Sequence, residues 1–122
     1  MEKEIIVKEN ERIDDLGLKN LKIIQDKEGF CFGIDAVLLS DFAKNLKKDA
    51  KVIDLGTGTG IIATLLCGKT NLRKVIGIEI QSEVADMAKR SIKLNQLQNK
   101  FEIINEDINH IFNQLEKNSF DA

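Results

Sequence analysis

The segment Val52-Ile53-Asp54-Leu55-Gly56-Thr57-Gly58-Thr59-Gly60 constrains this chain more than any other. An apolar run with an embedded acid meets three glycines at alternate positions, and Ile61-Ile62-Ala63-Thr64-Leu65-Leu66 follows. That order predicts a buried strand, a tight glycine turn and the start of a helix. Glycine admits positive φ in such a turn and lets a ligand approach bare backbone. The helix start adds N–H groups without intrahelical partners, which suit an electron-rich ligand. In an α/β protein, this is where a nucleotide-like cofactor binds.

The rest of the chain is consistent with that class. Val52 to Leu55 predicts a strand and Thr59 to Cys67 a helix, with Gly68 in the usual place for a C-terminal stop. Val75-Ile76-Gly77-Ile78-Glu79-Ile80 reads as a second strand. Ser82 can cap the next helix, whose apolar stripe is Val84, Met87, Ala88 and Ile92. Glu83 and Asp86 lie early in that helix and Lys89, Arg90 and Lys93 late, as the helix dipole favours. Phe101-Glu102-Ile103-Ile104 is a third strand, Ile108 to Leu115 a weak helix, and Phe120-Asp121-Ala122 the opening of a fourth strand. Alternation of this kind predicts a parallel sheet with right-handed crossovers and helices on both faces. Three strands and an opening are few for such a sheet, so the chain is expected to be part of a longer protein.

Before Lys51 the pattern is less regular. Residues 1–20 are highly charged and read as a loose arm that turns near Gly17. Leu21-Lys22-Ile23-Ile24-Gln25 is a strand, Asp26-Lys27-Glu28-Gly29 a turn, and Phe30-Cys31-Phe32 a second short strand, together a hairpin. Asp35 can cap a helix with Ala36, Leu39, Phe42, Ala43 and Leu46 on its apolar face. The expected division is residues 1–46 as arm, hairpin and helix over the site, and residues 47–122 as the half-sheet that carries it.

With 122 residues the chain suffices for one core, and 43% apolar with 31% charged residues is ordinary for a globular protein. The net charge of −2 gives no overall attraction to a polyanion. Two local clusters, Lys44, Lys47, Lys48, Lys51 and Lys89, Arg90, Lys93, Lys100, are either solvated faces or a basic rim. No apolar run approaches the length of a membrane span, and the N-terminus leads no signal-peptide core. Cys31 and Cys67 lack neighbours at metal-ligand spacing, and both read as free thiols in a reducing cytoplasm. His110, the single histidine, has a surface or packing role rather than a catalytic one.

Which cofactor the turn takes is a matter of chemistry at the strand ends. A nicotinamide fingerprint wants G-x-G-x-x-G, and here Ile61 stands at its third position while Gly60 comes one residue early. No G-K-[ST] follows the loop, which argues against a phosphate-binding P-loop. Three acids instead mark three successive strand ends. Glu79 can accept from both hydroxyls of a ribose, and Asp107 can accept from an adenine amino group or cap the helix at Ile108. Asp54 can orient the loop or meet a cationic group. An acidic rim suits a ligand with an adenosine and a positive charge, which describes S-adenosylmethionine.

The stretch Asp54-Leu55-Gly56-Thr57-Gly58-Thr59-Gly60 resembles the first motif of class I S-adenosylmethionine-dependent methyltransferases, and Glu79 and Asp107 match the acids of the second and third. Residues Leu21 to Gln25 and Phe30-Cys31-Phe32-Gly33-Ile34-Asp35-Ala36-Val37-Leu38-Leu39-Ser40, with Gly77-Ile78-Glu79-Ile80-Gln81, resemble bacterial enzymes that methylate the amino group of an adenine in a valine tRNA. The resemblance implies a Rossmann-like fold with tRNA as substrate, no metal, and a cofactor held by Asp54, Gly56, Thr57, Gly58, Gly60, Glu79, Ile80, Asp107 and Ile108. Phe30, Gly33 and Asp35 would close over it from the N-terminal side. These enzymes carry an Asn-Pro-Pro-Tyr motif at the end of the fourth strand, where it holds the target amino group and stacks on the flipped base. This chain has no proline or tyrosine. No catalytic residue is therefore assigned, and the chain by itself is expected to be inactive, as the cofactor-binding part of an active parent. Other readings are a release-factor glutamine or ribosomal-RNA guanine methyltransferase, a nicotinamide oxidoreductase, and a non-catalytic cofactor-binding module.

Overall fold

The computed structural model describes residues 5–28, 34–111 and 120–122. The elements run β1 (Glu11–Asp15), β2 (Lys22–Asp26), α1 (Ile34–Phe42), β3 (Lys51–Leu55), α2 (Ile61–Lys69), β4 (Lys74–Ile78), α3 (Ser82–Leu94), β5 (Phe101–Ile104) and α4 (Ile108–Ile111). The strands β3, β4 and β5 lie side by side and parallel, with Leu55 opposite Ile78 and Ile78 opposite Ile104. Residues 120–122 run along the other edge of β3. There Asp121 N donates to Lys51 O at 2.7 Å and Ile53 N to Ala122 O at 2.8 Å. The Asp121 carboxylate accepts from Lys51 N at 2.9 Å and pairs with Lys47 at 2.8 Å. The expected opening of a fourth strand is therefore present as main-chain pairing. The chain steps outward twice from β3 and then returns to its far side. Such a reversal leaves a crevice at the carboxyl ends of the central strands, where ligands of open α/β sheets bind.

One face of the sheet carries the core. Val52, Val75, Phe101 and Ile103 meet Ala63, Leu66 and Cys67 of α2 and Ala85, Ala88 and Ile92 of α3. Full burial of each large apolar side chain contributes roughly 1.5–3 kcal/mol, and the alanines let the helices approach closely. On the opposite face Ile53 and Ile76 are half-buried and Leu55 is exposed. Cys67 is a buried free thiol, and burial pushes its pKa up to about 11, which keeps it unreactive at neutral pH. Cys31 lies outside the described residues.

The structure departs from the sequence reading in three places. Residues 11–15, expected in a loose arm, form β1 and pair antiparallel with β2, Glu11 opposite Asp26 and Asp15 opposite Lys22. The expected strand Phe30 to Phe32 lies outside the described residues. Glu-Arg-Ile-Asp-Asp has no strand signature of its own; tertiary contacts hold it. The other edge of β2 is served by side chains of α3 and of Asn95, the residue that follows it. Ser91 Oγ accepts from Ile24 N at 2.9 Å, while Asn95 accepts from Lys22 N at 2.8 Å and donates to Lys22 O at 2.6 Å. Asn95 thus replaces a neighbouring strand, and the edge is closed.

The second departure is α1. Its expected apolar face placed Leu39 and Phe42 inward, yet Phe42 is 86% and Leu39 52% exposed, while Ser40 is fully buried. The physical reason is a polar anchor. Lys69 of α2 donates to Ser40 Oγ at 2.7 Å and to the Asp41 carboxylate at 3.0 Å, which turns the Ser40 side of the helix toward α2. Third, Gly68 does not end α2 but lies within it. A Cβ there would meet Leu21 Cδ1 at 2.8 Å and Leu18 Cδ2 at 2.9 Å, so glycine gives these two leucines of the hairpin turn room to pack on α2.

Candidate cofactor-binding site

The loop after β3 is built as expected from three left-handed residues, Gly56, Gly58 and Gly60, with φ of 69°, 61° and 87°. A side chain at any of them would strain the backbone. At Gly56 and Gly58 a Cβ would meet nothing within 4 Å, so these two bare the loop toward open space. Gly60 is different: its Cβ would sit 3.0 Å from the Phe101 ring, so the third glycine serves packing. Thr57 N donates to Ile78 O at 2.9 Å, which ties the loop to β4. The buried Thr57 side chain lies across Gly77, where a Cβ would come within 2.7 Å of it.

Glu79 follows β4 directly and is 9% exposed. One carboxylate oxygen accepts from Gly58 N at 2.9 Å and the other from Gln81 N at 3.0 Å. A carboxylate has about four lone-pair positions, so each oxygen retains one for a ligand. Asp54 takes the loop-orienting role. It accepts from Thr57 Oγ1 at 2.8 Å, and burial pushes its carboxyl above the ordinary range despite that bond.

These residues border a cleft of about 860 Å³ at the carboxyl end of the sheet. Of the expected contacts, Asp35, Gly56, Thr57, Gly58 and Glu79 line it. Asp54 and Gly60 are not part of the lining: Asp54 bonds Thr57 and Gly60 packs against Phe101. Ile80, Asp107 and Ile108 lie past the ends of β4 and β5 and are not part of the lining. Ile80 is 61% and Ile108 39% exposed, two apolar side chains open at neighbouring strand ends. Asp107 does cap α4, its carboxylate accepting from Asn109 N at 2.9 Å. The expected Ser82 cap is absent: α3 starts without a side-chain cap, and Ser82 Oγ donates to Asn105 at 3.1 Å instead. Phe30 and Gly33 lie outside the described residues.

Several lining residues were not anticipated. Gln25 and Asp26 at the end of β2, Gln81 before α3, and Val84 and Met87 on α3 form much of the wall. Val84 and Met87 were legible as an apolar stripe, though not as one that turns partly from the core to the cleft. Gln25 donates to the Asp14 carboxylate at 2.6 Å, which links the wall to β1. Arg90, read within a basic cluster, is instead 13% exposed and bonded through both terminal nitrogens to Glu11. His110 is 72% exposed, in keeping with a surface role. Among the described residues no group of three or more His, Cys, Asp or Glu side chains is placed to hold a metal, and no helix is long and apolar enough to cross a membrane.

The Asp54 geometry carries a pH prediction. Its folded pKa is raised above the ordinary 3.8, so between those values the folded state binds more protons than the unfolded one, and stability falls as pH rises through that window. Asp54→Asn keeps an acceptor for Thr57 and removes the buried charge. The variant is expected to gain stability relative to the wild type as pH rises from about 3 toward neutrality. Melting temperatures of both across that range check it; a difference that stays constant with pH refutes it.

A family model described as a methyltransferase domain matches residues 46–122. The ribosomal protein L11 methyltransferase of Carboxydothermus hydrogenoformans is 30% identical over 80% of the chain and 33% of its own length. The tRNA1(Val) (adenine(37)-N6)-methyltransferase of Flavobacterium johnsoniae is 33% identical over 57% of the chain and 30% of its own length. Among solved structures, P. horikoshii TYW2 in complex with MeSAdo superposes with a TM-score of 0.67 at 21% identity, over 84% of this chain and 38% of that one. The chain spans about a third of the length of the curated relatives it matches.

Proposed function

Because this chain belongs to the methyltransferase domain family, with its Rossmann-like fold and S-adenosylmethionine as cofactor, we propose that its cleft binds that cofactor for methyl transfer to the exocyclic amino group of an adenine in tRNA. The observation that carries the cofactor reading is the Glu79 carboxylate. It is held by Gly58 N and Gln81 N beside a loop whose backbone is bare at Gly56 and Gly58. The donor set fits the group: acceptors for ribose hydroxyls, exposed apolar side chains for an adenine, and, among the described residues, no lysine or arginine lining the cleft to repel a cation.

In this reading the backbone of residues 56–60 borders the cofactor and Glu79 takes its ribose. Ile80 and Ile108 flank the adenine, and Asp107 accepts from its amino group while capping α4. Asp35, on α1, faces the cleft from the side of residues 1–46, which cover the half-sheet of residues 47–122. Asp54 acts on the loop by holding Thr57. The bound cofactor supplies an electrophilic methyl on a sulfonium, and transfer to an amine rests on positioning. The tRNA substrate is supported by the resemblance of residues 21–40 and by the tRNA1(Val) relative. A buried free thiol at Cys67 supports a reducing compartment such as the cytoplasm.

Calorimetric titration of the chain with S-adenosylhomocysteine tests the cofactor arm, with saturable binding expected and none with NAD. Preference for NAD overturns it. Labelled methyl transfer by the protein that carries this segment tests the substrate arm. Label on unmodified tRNA is expected; label on ribosomal protein L11 or a release factor, with tRNA unlabelled, reassigns the substrate.

A further inference from the structure

Asn105, one residue past β5, is covered by none of the motifs in this chain. Its amide nitrogen donates to Glu79 O at 2.8 Å and to Ile80 O at 3.1 Å, and its amide oxygen accepts from Ser82 Oγ at 3.1 Å. One side chain therefore grips three points of residues 79–82, where β4 passes into α3. The main chain adds two bonds nearby, Glu79 N to Ile104 O and Glu106 N to Glu79 O, both 3.1 Å. These secure the backbone of Glu79. They do not reach the next peptide.

The Ile80–Gln81 peptide is the informative one. In a trans peptide the C=O and N–H point in opposite directions. Asn105 holds the oxygen of this unit, and the Glu79 carboxylate accepts from its N–H at 3.0 Å. The unit is thus clamped at both ends, and turning it would break both bonds. The same carboxylate bonds Gly58 N, so the clamp extends from β5 through residues 79–82 to the glycine loop.

We infer that Asn105 is a positioning residue: by clamping the Ile80–Gln81 peptide it sets the Glu79 carboxylate in the orientation that receives the ribose. The role of the carboxylate rests on the cofactor reading above, whereas the clamp itself does not. Asn105 is exposed and outside the core, so its substitution is expected to spare the core packing.

Two substitutions test this in the chain itself. Asn105→Ala removes the clamp, and Asn105→Asp keeps the size while placing an acceptor against two carbonyl oxygens. In both, hydrogen exchange of the Gln81 amide is expected to accelerate at least tenfold, with exchange of the core amides of Val75 and Ile103 unchanged. Affinity for S-adenosylhomocysteine should fall about fivefold. Affinity for its 2′-deoxyribose analogue should fall less, so that discrimination between the two narrows. Unchanged Gln81 exchange overturns the clamp. Accelerated exchange with undiminished discrimination overturns its action on the ribose. If the wild-type chain binds neither compound, the cofactor reading and the ribose role fall together, and Gln81 exchange still decides the clamp.

Discussion

Glu79→Ala is expected to lower affinity for S-adenosylhomocysteine about a hundredfold. Two charge-assisted hydrogen bonds at roughly 1.5 kcal/mol each amount to about two orders of magnitude in dissociation constant. A second loss compounds the first. Without the carboxylate, Gly58 N and Gln81 N lose their acceptor in a half-buried place, and the loop is free to leave the geometry that bares its backbone. Glu79→Gln should rescue little. Its NH2 group would face one of the two N–H donors, so a donor would meet a donor. Titration of both variants, with circular dichroism to confirm folding, checks this. A folded Glu79→Ala chain that binds as well as the wild type would remove Glu79 from the site.

The largest loss of stability is expected from Glu11→Ala. Arg90 and Glu11 form a two-pronged ion pair, and their side chains are 13% and 4% exposed. Removing one partner of a buried pair costs roughly 3 kcal/mol, because the other charge stays buried without compensation. Arg90 keeps Asp86 and the Ile6 carbonyl, so this figure sits at the low end of the measured range for such losses. A melting-temperature fall of about 10 °C follows for a domain of this size. The pair also sets an acid dependence. The Arg90 guanidinium holds the Glu11 carboxyl below its ordinary value of 4.5. Its contribution is therefore fully present above that value and is lost as pH falls through the lower folded pKa. The difference between wild type and Glu11→Ala should shrink on acidification below about pH 4.5. This is opposite in sign to Asp54, whose buried carboxyl destabilises on ionisation. A pH-independent difference would show that the pair adds nothing electrostatic.

The loop was legible because its demands are local. Three left-handed positions in a short turn favour glycines whatever surrounds them, and the strand and helix on either side announce themselves by apolar runs. Glu79 and Asp107 were legible as acids at strand ends, and β5 was placed residue for residue. The hairpin was half legible: Ile23 and Ile24 mark β2, but nothing in Glu11 to Asp15 marks its partner. That strand exists because Arg90, 79 positions away, binds Glu11, and because Ser91 and Asn95 occupy the other edge of β2.

The outward turn of Leu39 and Phe42, the place of Gly68 and the reach of Asn105 were equally hidden. Each depends on a contact between elements distant in sequence, and a helical apolar count has no term for a lysine that anchors a serine. Periodicity and glycine spacing by themselves determined the class of fold, the glycine loop after β3 and the acids that follow β4 and β5, since backbone sterics and burial act within a few residues. Only the tertiary structure decided which face of each helix turned inward, what formed the far wall of the cleft, and which side chains clamp Glu79, because hydrogen bonds and ion pairs between remote segments exist only once those segments are brought together.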